Sequence, residues 1–235
     1  PALDRLTRTT MNRSQDRPNP KLVPDGENHL ADTPVDAELT NAEPIYLWAL
    51  IVALCVGLLY TLTLSPTTAF WDTSEYIATG HILGIPHPPG NPLFVLLART
   101  WDLLLAPLGL SVATRINLFS ALMGSVAHGL WFLAVHHILS FFSDDRRFRL
   151  VGAVAAVMVS ATAFTVWNQS NVNEKVYTVS LMTIALLTWL AFHWRENLGK
   201  GRDDNLLVLI AFILGLSVGN HLMAFLAAPA LVLFV

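Results

Sequence analysis

"PLFVLLARTWDLLLAPL", residues 92–108, is apolar along most of its length yet is interrupted by Arg99 and Asp102. Whether it crosses a membrane or lies along one decides on which side every later loop falls, and with that the fold.

Composition sets the class around it. The chain has 235 residues, 54% hydrophobic and 13% charged, with mean hydropathy +0.52, whereas soluble domains carry about 25% charged residues. This is the composition of an integral membrane protein. The net charge is −3 and there is no basic patch to track a phosphate backbone, which argues against a nucleic-acid partner. The single cysteine, Cys55, lies inside an apolar run and excludes an intramolecular disulfide or a Cys-rich metal site.

About 20 apolar residues cross the hydrocarbon core. Spans are expected at about 45–64, 116–142, 150–167, 176–194, 206–219 and, incomplete, 222–235, the last two separated by a turn at "GNH" (Gly219, Asn220, His221). Residues 1–44 hold eight of the 17 acids and five of the 14 Lys/Arg without apolar periodicity. Such a stretch buries too little surface to offset its ordering entropy and is read as a disordered polar cytoplasmic tail. No cleavable leader is visible, so the first span is expected to act as an uncleaved anchor. The final run stops in mid-pattern at "LVLFV", and 45–235 is expected to be the N-terminal part of a longer module.

Lys/Arg asymmetry arbitrates the reading of 92–108, because cytoplasmic loops are enriched in these residues. If the stretch lies along the outer surface, the inside collects eleven basic residues, from the tail, "DDRRFR" (144–149) and "RENLGKGRDDN" (195–205). Only Arg99, Arg115 and Lys175 then face outside. If it spans, basic loops face both ways. The first arrangement is favoured, with external surface helices at about 73–83 and 92–106, the second of them amphipathic. It brings the loop after the first span, "WNQSNVNEKVY" (167–177) and "GNH" to one extracytoplasmic side. Trp48, Trp71, Trp167 and Trp194 fall near span ends, as an interfacial belt requires.

The first external loop, "FWDTSEYIATGHILGIPHPPGNP" (70–92), is the chemically dense one. Asp72 and Glu75 have the spacing of a capping box opening a short helix. They also share a helix face, where they can serve as general base and supporting acid or hold a divalent cation. In "HPPG", Pro88 and Pro89 remove two donors and stiffen the turn, and Gly90 permits close approach. His87 is either part of a rigid corner or a donor to phosphate or substrate. Arg115 is either a snorkelling interfacial residue or a phosphate contact, and His221 a turn residue or a weaker contact. Glu174 and Lys175 read as a solvated loop pair, and His128, His136 and His137 as packing or snorkelling residues.

The motifs "PTTAFWDTSEY" (66–76), "HPPGNPL" (87–93), "RINLFS" (115–120) and "GLSVGNH" (215–221), in that order, resemble the GT-C glycosyltransferases that use lipid-linked sugars. The nearest resemblance is to a bacterial family of formerly unknown function, itself similar to a eukaryotic secretory-pathway protein O-mannosyltransferase. It implies an all-α, polytopic transmembrane protein of GT-C type with external juxtamembrane helices, in the bacterial inner membrane. It also implies an inverting transfer of mannose or a related hexose from a polyprenyl phosphate donor to a hydroxyl of a protein or glycan acceptor. Asp72 would be the base and Glu75 its supporting acid, with His87, Pro88, Pro89, Arg115, Asn117, Asn220 and His221 around the substrates. In the better-known mannosyltransferases the two acids are adjacent, whereas Thr73 and Ser74 separate them here. The competing readings are an ion- or solute-coupled transporter and a non-catalytic envelope scaffold. Transport sites lie near the bilayer midplane between broken helices, and the expected spans carry no charge there.

Overall fold

The run "YLWALIVALCVGLLYTL" forms the first helix, α1 (Tyr46–Leu62), because nothing in it is charged or helix-breaking. Ala49, Val52, Val56 and Tyr60 make its buried stripe, while Leu47, Leu50, Leu54, Leu58 and Leu62 point outward. A helix apolar on both faces suits a bilayer. The computed structural model describes residues 44–171, 176–199, 201 and 203–234. The expected tail, up to residue 43, and the Glu174–Lys175 pair lie outside the described residues.

The later elements are α2 (Thr73–Ile82), α3 (Pro92–Leu105), a 3-10 turn (Ala106–Leu108), α4 (Val112–Ser140), α5 (Arg146–Thr162), α6 (Phe164–Asn171), α7 (Val176–Glu196), α8 (Asp203–Ser217), a 3-10 helix (Leu222–Ala227) and α9 (Ala228–Phe234). The described residues contain no strand. By length and composition α4 and α7 can each cross a membrane, and the bent pair α5–α6 is a third candidate.

The central helix is α4, packed against α1, α5 and α7. Ser111 caps it by accepting from the Thr114 amide at 3.1 Å, so it starts one turn before the expected boundary at 116. Small residues let α1 approach closely: a Cβ on Gly129 would sit 3.0 Å from Ala53 Cβ and 3.1 Å from the Ala49 carbonyl. Ser125 Oγ donates across the same seam to the Ala53 carbonyl at 2.6 Å. Close backbone approach and interhelical hydrogen bonds substitute for the hydrophobic drive that lipid does not supply. His128, His136 and His137 are buried along α4.

The expected continuous span at 150–167 is broken. Ala163 leaves the helical conformation (φ −59°, ψ 128°), and α6 bends from α5 by 64°. Polar residues explain the turn. Trp167 Nε1 and Asn171 Nδ2 each donate to Thr63 Oγ1 at 3.0 Å, so α6 lies across the C-terminal end of α1 rather than continuing along the core. After α8, the chain enters the last expected span as a 3-10 helix before α9 begins.

At 14 residues α3 is about 21 Å long, short of the ~30 Å core. Its buried face is Phe94, Val95, Ala98 and Asp102, while Leu96, Leu103 and Leu104 are exposed. Tyr76 and Ile77 of α2, Phe94 and Val95 of α3, Ile116 and Phe119 of α4, and Val176 of α7 form one apolar cluster. Full burial of a side chain such as Phe94 contributes about 2 kcal/mol. Gly80 permits the contact, since a Cβ there would meet Ala98 Cβ at 3.0 Å.

Candidate functional site

The first turn of α2 departs from the capping-box expectation. Asp72 occupies the N-cap position, but its backbone (φ −79°, ψ 12°) is not the extended conformation of a capping residue, and its carboxylate makes no hydrogen bond to the helix amides. Glu75 does not reach back either. Its Oε1 accepts from the His87 amide at 2.6 Å and its Oε2 lies 2.7 Å from His87 Nδ1. A partner 12 residues away outcompetes the local cap.

His87 is thereby held from one side by Glu75, and its Nε2 faces Asp72 Oδ2 at 3.8 Å, beyond hydrogen-bond length. The hydrogen bond from the His87 ring, with a second from its amide, holds the Glu75 carboxyl below the usual carboxylate range. Asp72, Glu75 and His87 each offer one ligand atom within 4.8 Å of the others. Two carboxylate oxygens and an imidazole nitrogen are a donor set that fits a divalent cation.

Pro88 and Pro89, both exposed and joined by a cis bond, carry the chain from His87 to Gly90 (φ 88°) and Asn91 (φ 40°). Asn91 is 1% exposed. Its Oδ1 accepts from Tyr76 Oη at 3.1 Å and its Nδ2 donates to the Asn220 carbonyl at 2.5 Å. The Leu93 amide donates to the Gly219 carbonyl at 2.8 Å. The "HPPGNP" and "GNH" turns are therefore docked on each other. Asn220 Nδ2 in turn donates to the Val176 carbonyl and Ser180 Oγ of α7, at 2.9 and 2.8 Å. The Nδ1 of His221 accepts from the Met223 amide at 3.1 Å, and its ring lies 5.3 Å from that of Tyr177. Asn117 is fully buried in α4 and donates to the Ser65 and Thr67 carbonyls at 2.7 and 3.2 Å, pinning the irregular link that leads to Asp72.

Arg115 lies elsewhere. It is buried, with Nε 2.6 Å from Asp102 Oδ1 and Nη1 donating to the Leu110 carbonyl at 2.9 Å. The other Asp102 oxygen lies 2.7 Å from His81 Nδ1 and 3.0 Å from Arg99 Nη1. Burial raises the Asp102 carboxyl, but the hydrogen bonds from His81 and Arg115 and the Arg115 charge outweigh it and hold the group below its ordinary value. His81 follows Asp72 by nine residues, about 13 Å along α2. Arg115 thus belongs to a second cluster at the opposite end of that helix from Asp72, Glu75 and His87.

Trp71, the residue before Asp72, helps to line a cavity of about 570 Å³. Trp71, Gln169, Ser170, Tyr177, Thr178 and Met223 are among its lining residues, so the loop before α2, the end of α6, the start of α7 and the segment after "GNH" converge on it. Trp71 has φ 61° and is largely exposed, next to Asp72.

Residues 72–235 match the protein O-mannosyl-transferase TMEM260 N-terminal domain. The chain belongs to this family. It is 34% identical over 170 residues to the mouse (Mus musculus) protein O-mannosyl-transferase TMEM260, covering 71% of this chain and 22% of that protein. The protein O-mannosyl-transferase tmem260 of Dictyostelium discoideum is 25% identical over 193 residues, 77% of this chain and 22% of its own length. The chain thus spans about a fifth of the length of these relatives. No solved structure matches it.

The family match covers every motif that carried the resemblance from Asp72 onward. Reading residue types and spacing missed Asn91, His81 and Asp102. Arg99 and Asp102 were visible as an i, i+3 pair of opposite charge inside an apolar run, which is the signal of a buried ion pair rather than of a solvated helix face.

Proposed function

We propose that this chain is the membrane part of a protein O-mannosyltransferase of GT-C type, which transfers mannose or a related hexose from a polyprenyl phosphate to a protein or glycan hydroxyl on the extracytoplasmic side, in the bacterial inner membrane. The observation that carries the reading is Asp72. Its carboxylate caps nothing, stands beside a His87 that Glu75 orients, and adjoins Trp71 at a cavity. The relatives' names support the reaction class.

In this mechanism Asp72 accepts the proton of the acceptor hydroxyl as its oxygen attacks the anomeric carbon. The carbon–oxygen bond to phosphate breaks with its electron pair leaving on the polyprenyl phosphate, and the anomeric centre inverts. A positioned base of this kind contributes about 10² to 10⁴ fold. Glu75 stays ionised and fixes the ring of His87, whose Nε2 faces the space beside Asp72 where the reacting hydroxyl or phosphate would lie. A divalent cation held by Asp72, Glu75 and His87 would supply positive charge to the leaving phosphate. Asn91, Asn117 and Asn220 hold the turns that frame the site.

The test is an assay of the full-length protein in membranes with a panel of polyprenyl phosphate sugars, reading both transfer and anomeric configuration. Transfer of one hexose with inversion supports the reading. Retention of configuration, or transfer only from nucleotide sugars, overturns it.

A further inference from the structure

We infer that Asp102 is a positioning residue, a buried clamp that sets the register of α2 and through it the placement of Asp72 and Glu75. This rests on the reading of those two acids as part of the reacting centre.

The side chain of Asp102 is 2% exposed and is shared among three helices. Arg115 comes from α4, His81 from α2 and Arg99 from α3 itself, and both carboxylate oxygens are engaged. Arg99 Nη1 also donates to the His81 carbonyl, so the last turn of α2 is bonded twice. A buried charge is costly unless fully paired, and replacing such a cluster by apolar residues is often neutral for stability. Here the hydrogen bonds to both Asp102 oxygens favour one register of α2 against α3 and α4.

The helix that needs this is α2. Ten residues are too few for an isolated helix to persist, and its contacts with Phe94, Ala98 and Ile116 are apolar and non-directional. Directional bonds hold it near the start, from Glu75 to His87 and from buried Tyr76 to Asn91, and at the finish, between His81 and Asp102. The Glu75 and His87 side chains are 34% and 45% exposed and that of His81 is 40% exposed, whereas that of Asp102 is 2% exposed. Asp102 is therefore the buried charge that anchors the last turn of the helix, about 13 Å from Asp72 at its start.

The test uses the full-length protein with two substitutions at half-buried His81, which leave both Arg–Asp pairs intact and so spare the fold. An Asn at this position can keep an N–H where Nδ1 stands, whereas a Leu removes it. His81→Leu is expected to speed amide hydrogen exchange in residues 73–82 but not in α4. It is also expected to lower kcat for mannose transfer from polyprenyl phosphate mannose about tenfold, with KM for that donor unchanged. His81→Asn should restore both readouts to near wild type. Exchange in α2 as slow as in wild type overturns the clamp; faster exchange with unchanged kcat overturns its positioning role. Should the wild-type protein transfer no sugar, the functional reading fails by itself, while exchange in α2 still decides the clamp.

Discussion

The side chain of Asn91 donates to the backbone carbonyl of Asn220 over 2.5 Å, linking two turns 129 residues apart. Both residues are buried, and Asn91 also accepts from Tyr76 on α2. One amide thus joins α2, the proline turn and the turn between α8 and the 3-10 helix that follows it.

Asn91→Ala removes both bonds, leaves buried polar atoms unmatched and puts alanine at φ 40°. A loss of about 2 kcal/mol is expected. Thermal unfolding of the full-length protein should show a clear drop in midpoint. Asn91→Gly relieves the backbone but not the lost bonds, and should recover only part of it.

Glu75 yields a pH dependence. Its folded-state pKa lies below the ordinary value of 4.5 because His87 hydrogen-bonds the carboxylate. Its contribution is therefore fully present above about pH 4.5 and disappears as pH falls through the lower folded value. The stability difference between wild type and Glu75→Gln should shrink as pH falls below 4.5. The pair is solvent-accessible, so the difference will be small. A difference that fails to shrink below pH 4.5 would contradict the Glu75–His87 bond.

Trp71 tests the cavity. Glycine tolerates φ 61° without strain, so Trp71→Gly removes the indole at little cost to the fold. KM for a polyprenyl phosphate sugar should rise about fivefold, the order of one lost aromatic contact, with unfolding temperature unchanged. An unaltered KM would separate the cavity from the reaction.

The chain's helices were legible where apolar runs are long. The stretches that became α1, α4 and α7 have no competing pattern, and their limits differ from expectation by a few residues. The break at Ala163 was not legible, because no proline, glycine or charge marks it; it follows from Trp167 and Asn171 reaching Thr63. Asp72 and Glu75 were picked out as a pair, but i, i+3 spacing fits a cap and a site equally, and only the folded turn, which brings His87 to Glu75, shows that the pair does not cap α2. Arg115 was picked out for its charge, while its partner Asp102 was seen only as an interruption of an apolar run. Pairings across elements depend on packing, which spacing does not encode.

Topology is open to direct labelling. With Cys55 replaced by alanine, single cysteines at Thr67 and Ser111, both exposed, should each react with a membrane-impermeant thiol reagent on intact cells. Reaction of the first alone would mean that residues 92–108 cross the membrane.

The central claim is that the Asp72 carboxylate is the base. Asp72→Asn in the full-length enzyme keeps size and polarity and removes the proton-accepting charge. The variant is expected to fold, insert and bind polyprenyl phosphate mannose as the wild type does, yet to transfer mannose about 100-fold more slowly or worse, with Glu75→Gln less affected. Transfer by correctly inserted Asp72→Asn protein at close to the wild-type rate would contradict the account.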